Sequence, residues 1–372
     1  MRSFHRSLLL LAASCIYVMG LVMIFNTTSA ELVDLGLETG SHQALLRQIL
    51  YGVVGCWLAT GMWLLGYRPL LRLSPWLLGL TTLALLLVFV PGIGRSANGS
   101  YRWVGFGSLA LQPSEFAKFV LPAYFIYAIA PEGGANLPFR RFVQLGCLLA
   151  VPLLLILRAP DHGSVGVIGA SLAMLCFLMQ VPWRYWALPL LACIIAGGFI
   201  AVYTPYVRAR INVYLNPELD LLGKGHQPYQ AKIAAGSGQL LGKGPGNSWQ
   251  KLSYLPEAQN DYIAAIYAEE YGFLGVLVLL ALYMTVAYVG GMIAIRAPDR
   301  EACFLAMTIT FLFSFQAFLN LGVVSGLLPS TGLNLPLFSQ GGSSLIANFL
   351  GFGVLLSILD ATRPVSVQSP IV

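Results

Sequence analysis

Charge is what this chain has least of. Only 10% of its 372 residues are charged, 21 basic against 15 acidic, while 57% are hydrophobic. A soluble domain carries roughly 25% charged residues, so a mean hydropathy of +0.75 places the chain in a membrane. The six cysteines (Cys15, Cys56, Cys147, Cys176, Cys193 and Cys303) all fall within apolar runs, without a C-x-x-C pair. They read as small buried hydrophobes and support neither a metal site nor a disulfide framework. There is no P-loop, no Rossmann fingerprint, no evident internal repeat, and no basic and aromatic face suited to nucleic acid. The short alternating segments of a membrane β-barrel are missing too. The first apolar run, 8–25, follows Arg2 and Arg6 as a signal peptide would. It lacks an A-x-A-like cleavage site and more spans follow, so it reads as the first span.

What the chain does have is apolar runs of membrane length, since about twenty such residues cross a bilayer as a helix. They lie at 8–25, 46–66, 75–91, 115–130, 142–157, 163–181, 185–204, 263–294, 302–324 and 342–360. The expected fold is an all-α integral membrane protein of about ten transmembrane helices, one polytopic domain over 1–372. The eighth run is long because its first turns, 261–271, read as interfacial. Short connections on one side hold Arg68, Arg72, Arg140, Arg141, Arg184, Arg296 and Arg300, with Arg2, Arg6 and Arg363 in the termini. The first loop on the other side, 26–40, has three acids and no base. By the positive-inside rule both termini face the cytoplasm.

Other bases sit in or beside three outward loops: Arg95, Arg102, Arg158, Arg208, Arg210, Lys224, Lys243 and Lys251, with Lys118 and Lys232 close by. Long loops cross the membrane regardless of charge, which is the plain explanation. Convergence on an anionic ligand is the reading favoured here. The longest connection, 205–261, is rich in Gly, Lys and Gln, and so long a connection is usually functional. It is expected to carry part of the working site, with residues 231–241 as a short amphipathic helix lying on the membrane. Gly242-Lys243-Gly244-Pro245-Gly246 is loosely like a phosphate cradle, although glycine loops are common.

Polar clusters stand at four places where loops meet spans. Asn98-Gly99-Ser100-Tyr101-Arg102-Trp103 precedes Gln112-Pro113-Ser114-Glu115, where Pro113 begins a helix and Glu115 lies near its N-terminus. Lys118 follows three residues later on the same face, so a Glu115–Lys118 ion pair is the plainer role. Asp161-His162-Gly163-Ser164 opens the sixth run, with Asp161 placed as an N-cap. The stretch from Lys251 to Asp261 turns directly into a span still carrying Glu269 and Glu270. Acids this close to a membrane are expensive unless they serve a purpose. Gly341-Gly342-Ser343-Ser344 enters the last run and offers backbone and hydroxyl donors at a helix N-terminus. Close packing through small residues competes with that reading.

Taken together, NGSYRW, LQPSEFAK, PDHGS, YQAKIAAGSGQLLGKGPGNSWQKLSYLPEAQNDYIAAIYAEE and QAFLNLGVVSGLLPSTGLNLPLFSQGGSSL resemble the SEDS family (shape, elongation, division and sporulation). The resemblance covers essentially the whole chain and includes the ten-span layout. GNSWQKLSYLPEA is closer to the division (FtsW) branch, while QAKIA also occurs in the elongation (RodA) branch. Departures are few: Gln259-Asn260 where many members carry His-Thr, PDHGS for PDLGT, and Gln340 for a frequent Tyr. No histidine chemistry is therefore assigned at 259–260.

The resemblance implies a peptidoglycan glycosyltransferase in the bacterial cytoplasmic membrane that polymerises lipid II on its outer face. It also implies a class B penicillin-binding protein, the crosslinking transpeptidase, as partner, alongside divisome or elongasome proteins. Passing from an α-linked phosphate to a β-1,4 glycoside requires inversion. Because pyrophosphate leaves readily, one carboxylate base can suffice where an inverting hydrolase uses two carboxyl groups. Asp261, at the water–membrane boundary, is the expected base. Arg102, Lys118 and Lys243 are the candidates for pyrophosphate, with Glu115 and Asp161 orienting them and Gln250, Ser343 and Ser344 completing the substrate site. Glu269 and Glu270 read as structural or metal-related; no cofactor is evident, and a divalent cation is compatible. Glu218 and Asp220 read as solvated. The rival class is a lipid II flippase or carrier lined by Glu115, Lys118 and Asp161. Against it, a carrier places its polar residues near the midplane between inverted repeats.

Overall fold

A computed structural model describes residues 2–34, 41–97, 100–106, 109–203, 214–215, 225–251 and 259–362. Asn98, Gly99, Arg208, Arg210, Glu218, Asp220, Lys224, Glu257 and Arg363 lie outside the described residues. All ten apolar runs are helical: α1 Arg2–Asp34, α2 Ser41–Leu65, α3 Tyr67–Leu87, α4 Pro113–Ile129, α5 Phe139–Arg158, α6 His162–Leu178, α7 Trp183–Tyr203, then α9 Ile263–Ile295, α10 Arg300–Val324 and α11 Gly342–Ala361. A further helix, α8 (His226–Ser237), lies in the long connection. By length and composition, α1, α2, α3, α5, α9, α10 and α11 are long and apolar enough to cross a membrane. The chain is a multi-pass membrane protein.

Two local expectations are revised. Between α3 and α4 the chain forms a three-stranded antiparallel sheet, β1 Gly94–Ala97, β2 Ser100–Phe106 and β3 Leu109–Leu111, in the order β1-β2-β3. Its centre, Tyr101-Arg102-Trp103-Val104, is rich in the aromatic and β-branched types that favour strands. The second revision concerns α8, which begins five residues earlier than the 231–241 expected. Ala231 and Ala234 are buried on it, and it packs on α9 and α10 through these small residues.

Packing brings α2 along α11, α9 against α10 and α1, and α3 against α4, which also contacts α6 and α10. Small residues set the close approaches. At Gly353 of α11 an added Cβ would lie 2.3 Å from the carbonyl oxygen of Ala59 in α2. Polar side chains then separate to the two ends of the bundle. At one end Arg6 pairs with Asp360, which also accepts from Trp63 Nε1 at 2.7 Å, and Arg141 pairs with Glu132 at 3.5 Å. Beside them Asp299 caps α10 through Ala302 N–H at 2.8 Å and accepts from Tyr67 Oη at 2.6 Å and Arg68 Nη2 at 3.3 Å. A cavity of about 720 Å³ opens here, lined by Arg68, Arg72, Tyr127, Asp299, Arg300 and Glu301 among others. Its Asp299 is already committed to these three donors.

Partial burial pushes the Asp299 carboxyl up, but the Tyr67 hydroxyl, the Ala302 N–H and the Arg68 guanidinium outweigh it and hold the group below the usual range. Stability from a carboxyl lowered in this way is present above its unfolded pKa, about 3.9, and is lost as pH falls through the folded value. Losing a cap of this type costs about 0.5–2 kcal/mol. Thermal unfolding at pH 7 should therefore show Asp299→Ala less stable than wild type, with the gap closing as pH falls below about 4. A gap unchanged at low pH would contradict this assignment.

Candidate active site

The other end of the bundle holds a cleft of about 440 Å³. Arg47, Gln48 and Tyr51 from α2, Arg102 and Trp103 from β2, and Gln112 and Glu115 at the start of α4 contribute to its wall. Asp161 and Ser164 at the start of α6, Asn260 and Asp261 before α9, and Asn334, Gln340, Ser343 and Ser344 around the start of α11 complete it.

Asp261 stands two residues ahead of α9, half-buried. Its position is set by α10, where Gln316 and Asn320 sit one turn apart on one face. Asn320 Nδ2 donates to the carbonyls of Asp261 and Leu333, both at 2.8 Å. Gln316 Nε2 donates to the carbonyl of Asn334 at 2.8 Å. Gln340 N–H in turn donates to Gln259 carbonyl at 3.0 Å. The acid and the loop facing it are thus tied to the same helix. The open mouth left between them is the cleft.

Asp161 is the N-cap expected, accepting from Ser164 N–H at 3.2 Å, and it does more. Its other oxygen accepts from Ser114 Oγ at 2.8 Å and from Gln112 Nε2 at 3.3 Å. Gln112 N–H donates to Ser343 Oγ at 2.9 Å, which links the starts of α4, α6 and α11. Arg102 donates through Nε to the carbonyl of Ala159 at 3.2 Å and through Nη2 to that of Pro160. It holds the α5–α6 connection while lining the cleft. The glycines before α11 are required by contact: an added Cβ at Gly342 would lie 2.5 Å from the Tyr51 ring, and one at Gly341 2.4 Å from Asn334 Nδ2. Close packing and an exposed helix N-terminus therefore coexist at this point. Two buried atoms in the cleft wall, Ser164 Oγ and Gln340 Oε1, have no partner. Buried polar atoms are nearly always satisfied, so this wall suits a polar ligand.

Six of the expected site residues line one cleft: Arg102, Glu115, Asp161, Asp261, Ser343 and Ser344. Lys118 lies behind it, only 1% exposed, donating to Glu115 Oε1 at 2.8 Å and Gln316 Oε1 at 3.0 Å. The plainer ion-pair role is thus present, and the lysine's donors point inward. Lys243 and Gln250 belong to a second cluster. Lys243 Nζ meets Glu269 Oε1 at 2.5 Å, Gln250 N–H donates to Glu269 Oε2 at 3.4 Å, and Ser248 Oγ donates to the same carboxylate. Lys251 Nζ pairs with Glu270 at 3.0 Å and donates to Asn26 Oδ1 at 2.7 Å, while Asn26 Nδ2 donates to Glu270. Glu269 and Glu270 are each paired with a lysine. Among the described residues no three His, Cys, Asp or Glu side chains gather as metal ligands. The glycine cradle also closes on protein, since Lys243 and Gly244 N–H groups donate to the carbonyls of Glu269 and Glu270.

Arg47, Gln48, Tyr51, Gln316 and Asn320 were not singled out by sequence. Gln316 and Asn320 carry a readable signal, two amides four residues apart in an apolar span. Arg47 stands at a span boundary, where a base looks like an ordinary flank. It is exposed in the cleft and makes no ion pair among the described residues.

Comparison with known proteins follows the same outline. The profile of the cell cycle protein family FtsW/RodA/SpoVE matches residues 6–364. A relative in Aromatoleum aromaticum, named probable peptidoglycan glycosyltransferase FtsW, is 37% identical over 360 residues, 94% of this chain and 87% of that protein. Stage V sporulation protein E of Bacillus subtilis is 34% identical over 359 residues, 96% of this chain and 97% of that protein. Among solved structures, a chain of a peptidoglycan synthase complex that coordinates polymerization and crosslinking superposes with a TM-score of 0.75 at 30% identity. It covers 95% of this chain and 96% of that one. The rod shape determining protein RodA of Thermus thermophilus gives 0.67 at 27% identity, covering 96% and 97%. With its whole length matched and its polar ends arranged as described, the chain belongs to the FtsW/RodA/SpoVE family of cell cycle proteins.

Proposed function

We propose that the chain is a peptidoglycan glycosyltransferase of the division type, polymerising lipid II at the 440 Å³ cleft. The observation that carries this reading is a half-buried carboxylate, Asp261, that lines the same polar cleft as two arginines, Arg47 and Arg102. Asp261 takes the proton from the acceptor GlcNAc 4-hydroxyl as that oxygen attacks the anomeric carbon of the donor sugar. The bond from that carbon to the pyrophosphate breaks, configuration inverts, and undecaprenyl pyrophosphate leaves with the electron pair. Arg47 and Arg102 face the departing charge, helped by the N-terminus of α11 beside Ser343. This replaces the expected cationic set, from which Lys118 and Lys243 are withdrawn by their carboxylate partners. Repeating the assay with a chelator, then with added magnesium, tests whether a divalent cation joins the arginines.

The reading further places ten helices across the bilayer, both termini and the Arg140 and Arg296 connections in the cytoplasm, and the cleft outside. The partner is a single-span class B penicillin-binding protein. Names of relatives that include FtsW support the division role over the elongation role.

Three outcomes are expected. In intact cells, an impermeant thiol reagent should label Asn247→Cys, exposed on the long connection, and spare Arg140→Cys in a background free of native cysteines; the reverse pattern would invert the topology. Lys118→Ala strands a buried carboxylate and should lower stability by roughly 3–5 kcal/mol, with the Glu115→Gln, Lys118→Met double variant recovering much of it. An equally stable Lys118→Ala protein that binds lipid II poorly would return Lys118 to the substrate set. General-base catalysis contributes roughly 10²–10⁴-fold, so Asp261→Asn should cut glycan formation at least about a hundredfold while lipid II binding changes little. A purified wild type that makes no glycan beside an active transpeptidase partner would favour the flippase. An active wild type matched by Asp261→Asn would move the base to another residue.

A further inference from the structure

The long connection and α9 share a backbone splice that the catalytic reading does not use. α9 breaks at Gly272, whose φ of +65° and ψ of −167° are not helical. In an unbroken helix the N–H groups of Phe273 and Leu274 would bond the carbonyls of Glu269 and Glu270. Instead Phe273 N–H donates to Gln239 carbonyl at 2.8 Å and Leu274 N–H to Leu240 carbonyl at 3.2 Å. The vacated carbonyls of Glu269 and Glu270 accept from Lys243 N–H at 2.9 Å and Gly244 N–H at 3.0 Å. The inserted loop thus supplies partners for all four groups that the break frees, as backbone at membrane depth requires. No side chain fits at the crossing: a Cβ on Gly272 would lie 2.3 Å from Gly242 N.

The splice fixes how deep the loop sits. Residues 273–295 alone supply the ~20 residues that cross the hydrocarbon, so the break falls at its edge. There the loop shows its apolar residues. Leu240 and Leu241 are 66% and 76% exposed, next to Phe273 and Leu274 at 54% and 50%. That surface continues down α9 into Leu277 and Val278, also exposed. The loop's charge is turned away, with Lys243 on Glu269 and Lys251 on Glu270. Trp249 is exposed on the same connection and is of the type that belts membrane interfaces.

We propose that residues 239–243 are a membrane anchor, with Leu240 and Leu241 inserted at the acyl boundary of the leaflet beside the cleft. Lipid is the occupant because this surface is continuous with the side of α9 that faces the bilayer. The anchor sets the height of residues 263–271, about 13 Å of helix, and so of Asp261 ahead of them. Its role in catalysis rests on the polymerase reading; its depth does not.

The depth is read with a nitroxide at Leu241→Cys, Leu277→Cys or Asn247→Cys in the full chain, free of native cysteines, in phosphatidylglycerol–phosphatidylethanolamine nanodiscs. Collisions with oxygen should dominate at 241 as at 277, and collisions with a water-soluble nickel chelate should dominate at 247, which is exposed among polar residues. Nickel access at 241 like that at 247 would overturn the anchor. Shielding of 241 from both reagents would overturn it too, because protein would then cover the surface. Height-setting is read with Leu240→Ser, Leu241→Ser in the same discs. KM for lipid II should rise several-fold with the melting temperature kept, and unchanged kinetics would remove the height-setting role. An inactive wild type would count against the polymerase reading while leaving the collision result standing.

Discussion

A single amide near the C-terminal end of α10 holds the site together. Asn320 Nδ2 reaches two carbonyls at once, Asp261 ahead of α9 and Leu333 ahead of α11, each at 2.8 Å. An unpaired amide inside a membrane bundle is costly, so the side chain is committed to these partners and the two loops to it. Gln316, one turn away, does the same for Asn334 and receives Lys118. The backbone of Asp261 is therefore held from the helix behind it, and the residue lines the cleft.

The same pressure decides which charges stay available. Where a lysine and an acid lie within reach in a poorly solvated place, they pair: Lys118 with Glu115, Lys243 with Glu269 and Lys251 with Glu270. Arg102 spends two donors on carbonyls yet still lines the cleft, and Arg47 of α2 lines it too. The cations that line the cleft are accordingly arginines, Arg47 and Arg102. The lysines stabilise the frame around it.

Much of this architecture was legible in the sequence. The apolar runs located every membrane-length helix, because hydrocarbon allows few alternatives to a long apolar helix. Asp261, Asp161, Glu115 and the Ser343-Ser344 pair were found as polar residues where loops meet spans, and one cleft collects them. Spacing along the chain does not report which cation faces which acid, so the pairing of Lys243 with Glu269 was not legible, whereas that of Lys118 with Glu115 was. The strand at Arg102 was hidden because a short β-hairpin leaves little trace between strong helix signals. The α9 break at Gly272 was equally silent, since its hydrogen-bond partners lie some thirty residues upstream (roughly the length of a supersecondary unit).

The central claim is that the cleft between Arg47, Arg102 and Asp261 receives the lipid-linked pyrophosphate. It is tested most directly by solving the Asp261→Asn protein with lipid II bound in a bilayer disc. The account predicts pyrophosphate between Arg47 and Arg102 at the start of α11, with a sugar hydroxyl against residue 261. Pyrophosphate at the Arg68, Arg72 and Arg300 cavity, or along the Lys243–Glu269 cluster with the cleft empty, would contradict it.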